Sequence, residues 1–202
     1  MAVTNAEIVA FIELLGNLAL NEANRRAKAG EGYVVPSICI AQSAHETGWG
    51  SSAIMTKANA FFGIKAGGSW TGKVFTADTF EVVNGESYNT VANFRAYDSL
   101  ADSVADYYNL IVNNSRYANA VSYQGAQKSA YDTIYAIWSG GYATDPPYVQ
   151  MIMDIVNGRD LTQWDGVNGA DAVEGGGQSY TPPASTQPVI DKATTRFIFE
   201  KI

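Results

Sequence analysis

Apolar residues recur at helical spacing along the first quarter of the chain. The first such stretch begins after Thr4 and Glu7, which have the spacing of a helix capping box, and it predicts a helix to about Ala29. A second apolar stretch starts at Pro36, a residue suited to a first helical turn, and stops at Gly48. The pattern therefore predicts two helices before residue 50, the second of them largely buried.

The helical period returns in the second half of the chain. Apolar positions predict helices over about 100–112 and 131–138, and a third that opens with Asp145 as N-cap and Pro146 in its first turn. This last helix is expected to close at Gly158. Four tyrosines at helical spacing in these segments are expected to pack in the core: Tyr107, Tyr108, Tyr131 and Tyr135.

One segment has the pattern of β structure instead. Residues that favour strands lie on both sides of Asn84 and Gly85, a pair that is typical of a two-residue hairpin turn. The pattern predicts a hairpin between about Trp70 and Phe94. The predicted fold class is therefore mainly α (α+β), a helical domain with a small β-hairpin lobe.

The composition changes near residue 166, and this change divides the chain. A folded domain is expected over residues 1–165. Residues 166–188 contain three consecutive glycines and three of the six prolines, which is typical of a linker. Residues 189–202 have too few apolar side chains to fold alone and are expected to dock on another surface.

The composition argues against several classes of function. Thirteen basic and twenty acidic residues give a net charge of −7, which argues against nucleic acid as a partner. With one cysteine, Cys39, and one histidine, His45, we expect no metal and no cofactor. The apolar stretches fall short of the roughly 20 residues that a helix needs to cross a bilayer, so we expect no membrane partner.

Glu46 stands out as a candidate for acid catalysis. It lies at the C-terminus of the second predicted helix, near Trp49, Phe61 and Phe62. The negative end of the helix dipole and partial removal of water both disfavour a carboxylate, so we expect a raised pKa. A carboxyl group that stays protonated near neutral pH can donate its proton to a leaving oxygen. The alternative is that Glu46 is an exposed cap residue beside a core tryptophan.

Four separated segments between about Pro36 and Trp164 carry a recognisable set of motifs. In the first, a small apolar helix ends in Glu46 and leads into Gly-Trp-Gly at 48–50, followed by an Asn-to-Lys string at 59–65. The others cover 79–85, 93–99 and 138–148. Together they resemble glycoside hydrolase family 73, the β-N-acetylglucosaminidases of bacterial cell-wall turnover, flagellar assembly and phages. The departures are modest: His45 stands where many members have an apolar residue, and residues 59–62 vary the usual Asn-Leu-Phe.

The resemblance implies a lysozyme-like fold and roles for three residues. Glu46 is the expected general acid, and Glu81 on the hairpin is the expected general base or charge stabiliser. Tyr142 is expected to orient substrate or water. Asp78 and Glu86 are close enough in sequence to replace Glu81, whose other interpretation is a polar residue on the face of an edge strand.

Carbohydrate binding is expected from aromatic residues, because sugar rings present apolar faces that stack on aromatic side chains. Aromatic residues make up 12% of the chain, which fits a carbohydrate groove. The expected substrate-binding residues are Trp49, Asn59, Phe62, Trp70 and Tyr148.

The resemblance implies hydrolysis of the β-1,4 bond between N-acetylglucosamine and N-acetylmuramic acid in bacterial peptidoglycan. A lytic transglycosylase is one alternative, and a non-catalytic wall-binding or structural virion protein is another. The first residues lack the pattern of a secretory signal peptide. The protein is therefore expected to be phage-encoded and to reach the cell wall as an endolysin, released by host lysis through a holin, or on a virion. On a virion, residues 189–202 would contact a phage tail protein.

Overall fold

The computed structural model describes residues 2–83 and 86–170, and the side chains of residues 79–89 lie outside the described part. The α-helices are Asn5–Lys28 (α1), Pro36–Thr47 (α2), Ala53–Ala58 (α3), Leu100–Val112 (α4), Ala130–Ser139 (α5) and Tyr148–Gly158 (α6). The strands are Lys73–Val83 (β1) and Glu86–Ala96 (β2), with short 3₁₀ helices at Ser115–Ala120 and Leu161–Trp164. The prediction of a mainly helical domain with a hairpin lobe is confirmed. None of the helices in the described ranges is long and apolar enough to cross a membrane.

The first helix, α1, begins as its capping pattern predicts. The Thr4 hydroxyl accepts from the Glu7 N–H at 3.3 Å, and the Glu7 carboxylate accepts from the Thr4 N–H at 2.7 Å. Phe11, Leu15 and Ala19 on one face of the helix are fully buried. This apolar face packs α1 against α2.

The second helix, α2, is the centre of the helical lobe. Its residues from Pro36 to Ala44 are all buried. The Asp165 carboxylate accepts from the N–H and from the hydroxyl of Ser37, both at 2.7 Å. It thereby satisfies a free N–H group in the first turn of the helix. A side chain 128 residues further along the chain thus supports the helix that carries Glu46.

Packing continues slightly beyond the predicted domain boundary at residue 165. The Asn24 side-chain oxygen accepts from the N–H groups of Asn168 and Gly169 at 2.9 and 3.1 Å. The first residues of the predicted linker therefore contact α1. Residues 171–202, which include the rest of the linker and the predicted docking segment, lie outside the described residues. The division at 166 and 189 stays a prediction.

The hairpin is anchored to the helical lobe at its base. β1 and β2 pair antiparallel along their whole length. The Arg95 N–H donates to the Ile64 carbonyl at 2.8 Å, and the Arg95 guanidinium pairs with Asp106 of α4 at 3.0 Å. The Tyr97 hydroxyl donates to the same carboxylate at 2.7 Å. These contacts fix the end of the hairpin that is farthest from its turn.

The sixth helix, α6, begins two residues later than the sequence pattern predicts. Met151 donates the first helical hydrogen bond to the Pro147 carbonyl at 2.9 Å, so Tyr148 is the first helical residue. Pro147 disfavours helical backbone at the residue before it, which is Pro146. The Asp145 carbonyl instead accepts from the Tyr148 N–H at 3.1 Å in a turn. The prediction of Asp145 as N-cap is therefore wrong.

The prediction that four helical tyrosines pack in the core is wrong for α5. Tyr107 and Tyr108 are fully buried, whereas Tyr131 and Tyr135 are 54% and 49% exposed. The buried face of α5 contains Ala130, Ile134 and Ile137. Residues 131 and 135 come one position later in the sequence and therefore point to a different side of the helix. Apolar residues occupy both sides, so the helical period alone does not identify the buried one.

Candidate active site

Glu46 lies in the last turn of α2. Its side chain keeps partial access to solvent, but the surrounding protein removes much of its water. This burial raises the pKa of Glu46 from the ordinary 4.5 to about 8. The carboxyl group is therefore mostly protonated at neutral pH. In that state it is a proton donor, as its sequence setting predicts.

The chain turns sharply directly after Glu46. Gly48, Trp49 and Gly50 have φ angles of 56°, 60° and 83°, all in the left-handed region. The Thr47 hydroxyl holds this turn, because it donates to a carbonyl one helical turn earlier at 2.7 Å and accepts from the Gly50 N–H at 2.9 Å. Glycine adopts such angles without strain, but tryptophan does not. Strained backbone is concentrated at functional sites, and here it lies three residues after the candidate acid.

Two buried tyrosines approach Glu46 from later parts of the chain. Tyr142 in the loop before α6 and Tyr148 in α6 are 2% and 3% exposed, with ring centroids 6.2 Å apart. Burial raises the pKa of both hydroxyls well above the usual range, and the charge of Glu46 adds to this effect. The Tyr142 hydroxyl has no hydrogen-bond partner among the described residues. A buried hydroxyl without a hydrogen bond costs free energy. The Tyr142 hydroxyl is therefore suited to bind a polar atom of a ligand.

The residues behind Tyr148, Gln42 and Tyr107, were not candidates in the sequence. Gln42 is fully buried; its Nε2 donates to the Tyr148 hydroxyl at 2.8 Å, and its Oε1 accepts from the Tyr107 hydroxyl. Gln42 precedes Glu46 by four residues, so both lie on one side of α2. That spacing, in a helix that is otherwise small and apolar, is a signal by which Gln42 could have been found in the sequence.

Trp49, a predicted substrate-binding residue, packs against the helical lobe. Its ring meets Phe11 of α1 edge to face, with centroids 6.0 Å apart. The Arg159 guanidinium lies 5.6 Å from the Trp49 ring centroid and donates to the Asn5 side-chain oxygen at 2.8 Å. Trp49 remains partly exposed. A sugar has access only to the part of the ring that Phe11 and Arg159 leave uncovered.

Phe62 and Asn59 make structural contacts where the sequence predicts substrate binding. Phe62 is 1% exposed and stacks on Tyr107 with ring centroids 4.0 Å apart. A ring that solvent does not reach offers no face to a sugar, so the structure assigns Phe62 to the core. The Asn59 amide donates to the carbonyls of Tyr97 and Asp98 at 3.1 and 3.2 Å. It thereby joins the end of α3 to the segment that follows β2.

Trp70 lies at the base of the hairpin. Its Nε1 donates to the Lys73 carbonyl at 2.9 Å, and the Arg95 guanidinium lies 4.8 Å from its ring centroid. Trp70 is partly exposed and lines a shallow pocket together with Tyr97 and Asp98. The contacts hold the ring in one orientation, and its role in sugar binding stays a prediction.

Glu81 lies on β1, and its side chain, like that of Glu86, is outside the described part of the structure. Asp78, which the sequence offers as a substitute, is exposed on the same strand. The role of Glu81 as the second carboxylate stays a prediction.

His45 and Cys39, the single histidine and cysteine, have packing contacts. The His45 ring meets Tyr148 edge to face at 5.8 Å, and burial lowers the pKa of His45. Cys39 is fully buried, and burial raises the pKa of its thiol well above the usual range. Within residues 2–83 and 86–170, no three His, Cys, Asp or Glu side chains come together as metal ligands.

Comparison with known sequences identifies one family. A sequence model for glucosaminidases, described as mannosyl-glycoprotein endo-β-N-acetylglucosaminidase, matches residues 22–161. The exo-glucosaminidase LytG of Bacillus subtilis is 36% identical over 138 residues, which cover 67% of this chain and 48% of LytG. The chain thus spans about half the length of this curated relative, and it spans a smaller share of other curated relatives.

Solved structures share the fold. A peptidoglycan hydrolase mutant from Sphingomonas sp. A1 matches with a TM-score of 0.63 and 38% identity, covering 77% of this chain and 96% of that one. The catalytic domain of the autolysin Auto from Listeria monocytogenes matches with a TM-score of 0.67 and 29% identity, covering 82% and 91%. These likenesses confirm the lysozyme-like architecture. Because the family model matches well over half of the chain, this protein belongs to the endo-β-N-acetylglucosaminidases of glycoside hydrolase family 73, as its four sequence segments predict.

Proposed function

We propose that this protein is a peptidoglycan hydrolase that cleaves the β-1,4 bond between N-acetylglucosamine and N-acetylmuramic acid. The observation that carries the proposal is the Glu46 carboxyl group at the end of α2, whose pKa is raised to about 8 by burial. The names of similar proteins support the substrate, since the Sphingomonas structure is of a peptidoglycan hydrolase and LytG is an exo-glucosaminidase. The particular bond is the one that the family resemblance implies.

In the proposed reaction, Glu46 donates its proton to the glycosidic oxygen while the bond from that oxygen to the anomeric carbon breaks. The sugar that remains carries developing positive charge. The Glu81 carboxylate stabilises this charge or activates the attacking water, unless the N-acetyl group of the sugar itself takes the second role. The buried Tyr142 hydroxyl, unpartnered among the described residues, binds this water or the sugar.

Analysis of the products tests the proposal. The purified protein is incubated with peptidoglycan, new reducing ends are reduced with borohydride, and the soluble fragments are identified by mass spectrometry. Reduced N-acetylglucosamine is the expected end. Reduced N-acetylmuramic acid would indicate a muramidase, and anhydro ends would indicate a lytic transglycosylase. No fragments, where a control enzyme releases them, would favour a binding or structural role.

Hydrolysis is expected to decline above about pH 8. Glu46 must be protonated to act, so kcat/KM should be level just below its pKa and fall about tenfold per pH unit above it. A glutamate with the ordinary pKa of 4.5 would already lack most of its protons at pH 6. Initial rates on a soluble oligosaccharide, measured from about pH 4 to 10, locate this decline.

The decline of activity at low pH is assigned to Glu81. Its proposed role needs a carboxylate, so Glu81→Gln should remove this low-pH decline together with most of the activity. Asp78→Asn is the matched control, because Asp78 is exposed on the same strand. A low-pH decline that survives in Glu81→Gln would mean that another group is the second carboxylate.

The route to the cell wall is proposed from the family and from composition. We propose a phage origin, with release through a holin or carriage on a virion, and contact between residues 189–202 and a tail protein. Truncation after residue 170 tests this contact. Hydrolysis should persist because Glu46 and its neighbours lie before the truncation, whereas attachment to phage particles should be lost. Loss of hydrolysis would instead mean that residues 171–202 belong to the catalytic unit.

A further inference from the structure

A chain of hydrogen bonds runs through the core toward the candidate acid. Tyr107 of α4 donates to Gln42 Oε1, and Gln42 Nε2 donates to the Tyr148 hydroxyl at 2.8 Å. Gln42 and Tyr107 are fully buried, and Tyr148 is 3% exposed. Buried polar groups that satisfy one another hold a single arrangement. The chain of bonds therefore ties α2, α4 and α6 together one helical turn before Glu46.

The direction of these bonds determines where the Tyr148 proton points. A glutamine amide has an acceptor end and a donor end. Because the Tyr107 hydroxyl donates to the acceptor end, the donor end faces Tyr148, whose oxygen accepts. The Tyr148 proton is therefore directed away from Gln42. Tyr148 contacts α2 at Gln42 and at His45, whose ring centroid lies 5.8 Å from that of Tyr148. Both residues are within four positions of Glu46, so the Tyr148 hydroxyl lies beside the turn of α2 that carries Glu46.

We propose that Gln42 is a positioning residue that orients the Tyr148 hydroxyl as a hydrogen-bond donor to Glu46. This inference rests on the proposed role of Glu46 as the acid. Negative charge appears on Glu46 only as its proton leaves for the glycosidic oxygen. A hydroxyl whose proton is kept available for this charge stabilises the transition state more than the ground state. Gln42 acts through Tyr148 and touches neither the substrate nor the reacting atoms.

Other titratable groups face Glu46 and Tyr148 from the packed elements. They are Tyr107 on α4, Tyr117 on a 3₁₀ helix, Tyr142 in the loop before α6 and His45 on α2, on which the charge of Asp145 acts in turn. Burial raises the pKa of Tyr107 and Tyr142 well above the usual range and lowers that of His45. These three groups therefore stay neutral where Glu46 titrates. A change of the Glu46 pKa in the variants below then reports on the Tyr148 donor.

Gln42→Leu and Tyr148→Phe test the proposal together. Each should lower kcat about tenfold, equal to about 1.4 kcal/mol, and change KM for a soluble oligosaccharide less than about twofold. Each should also raise the Glu46 pKa and move the high-pH decline upward, because the carboxylate loses a donor. The double variant should be no worse than either single variant, since both remove the same interaction.

Gln42→Glu keeps the shape of the side chain and replaces the amide by a carboxyl group. Burial at position 42 favours the protonated carboxyl near neutral pH, which offers one acceptor and one donor as the amide does, so kcat there should stay near the wild-type value. As pH rises and this group ionises, it accepts at both oxygens, Tyr148 would donate to it and no longer to Glu46, and kcat should fall as it does in Gln42→Leu. Ser43→Ala is the matched control: Ser43 is fully buried on α2, and its hydroxyl has no partner among the described residues.

Titration of the Glu46 carboxyl carbon by NMR, in the full chain, separates this proposal from the proposed function. A wild-type protein without hydrolase activity, but with a Glu46 pKa that rises in Gln42→Leu, would overturn the function and retain the coupling. An unchanged Glu46 pKa in Gln42→Leu and Tyr148→Phe would overturn the positioning role whatever the activity. Effects of Gln42→Leu and Tyr148→Phe that add up, or a change in melting temperature alone, would also overturn it.

Discussion

Replacement of Glu46 by glutamine is expected to remove hydrolysis and to make the protein more stable at neutral pH. Glutamine has the same shape but cannot give up a proton. The rate of muropeptide release from peptidoglycan should therefore fall about a thousandfold, within the range for loss of a general acid. Because the side chain is already neutral in most molecules at pH 7, the substitution should leave substrate affinity nearly unchanged. Binding of the variant to insoluble peptidoglycan measures that affinity.

The gain in stability follows from the pKa of Glu46, which is about 8 in the folded protein and 4.5 ordinarily. Between these values the unfolded chain has lost a proton that the folded protein keeps. The free energy of unfolding therefore falls as pH rises through this window. Glu46→Gln escapes this penalty and should be more stable by roughly 2 kcal/mol at pH 7, allowing for partial exposure of Glu46. Near pH 4 the two proteins should melt at about the same temperature.

Glu13→Gln provides the control, because Glu13 is an exposed glutamate on α1. Its hydrolysis rate and its melting temperature should match those of the wild type at both pH values. Wild-type hydrolysis in Glu46→Gln would assign the acid to another residue. A lower melting temperature for Glu46→Gln at pH 7 would show that the folded protein favours Glu46 as a carboxylate.

Short-range patterns account for the helices around the site and for the setting of Glu46. The Thr4 capping box, the first-turn Pro36 and the left-handed Gly48 each act within a few residues, and α1 and α2 begin and end close to where these signals predict. The raised pKa of Glu46 comes from burial, which its place at the end of an apolar helix predicts. Such features were predictable because each depends on neighbours in the chain.

The residues that form hydrogen bonds around the site come from distant segments of the chain. A periodic pattern within one segment does not predict such contacts. Gln42 bonds to Tyr107 and Tyr148, which lie 65 and 106 residues further along. The exposure of Tyr131 likewise depends on which side of α5 the neighbouring helices cover. Sequence analysis could therefore find the candidate acid and the turn that follows it, but could not find the hydrogen bonds that hold Tyr148.

The role of Phe62 also depends on a contact with a distant segment. Its position in a family motif beside Phe61 fits an aromatic groove and fits a core equally well, because both need a large ring. The stacking of Phe62 on Tyr107 decides between them, and Tyr107 lies on another helix. If Phe62 is a core residue, its substitution should lower the stability of the protein. If it contacts substrate, its substitution should raise KM.

Phe62→Ala is expected to lower the free energy of unfolding by about 3–5 kcal/mol, since alanine leaves a cavity between Phe61 and Tyr107. Calorimetry should show a melting temperature about 10 °C lower. Phe62→Leu, which keeps most of the volume, should cost much less. Because Tyr107 also holds Gln42, kcat should fall along with stability. A raised KM at an unchanged melting temperature would instead return Phe62 to the sugar-binding surface.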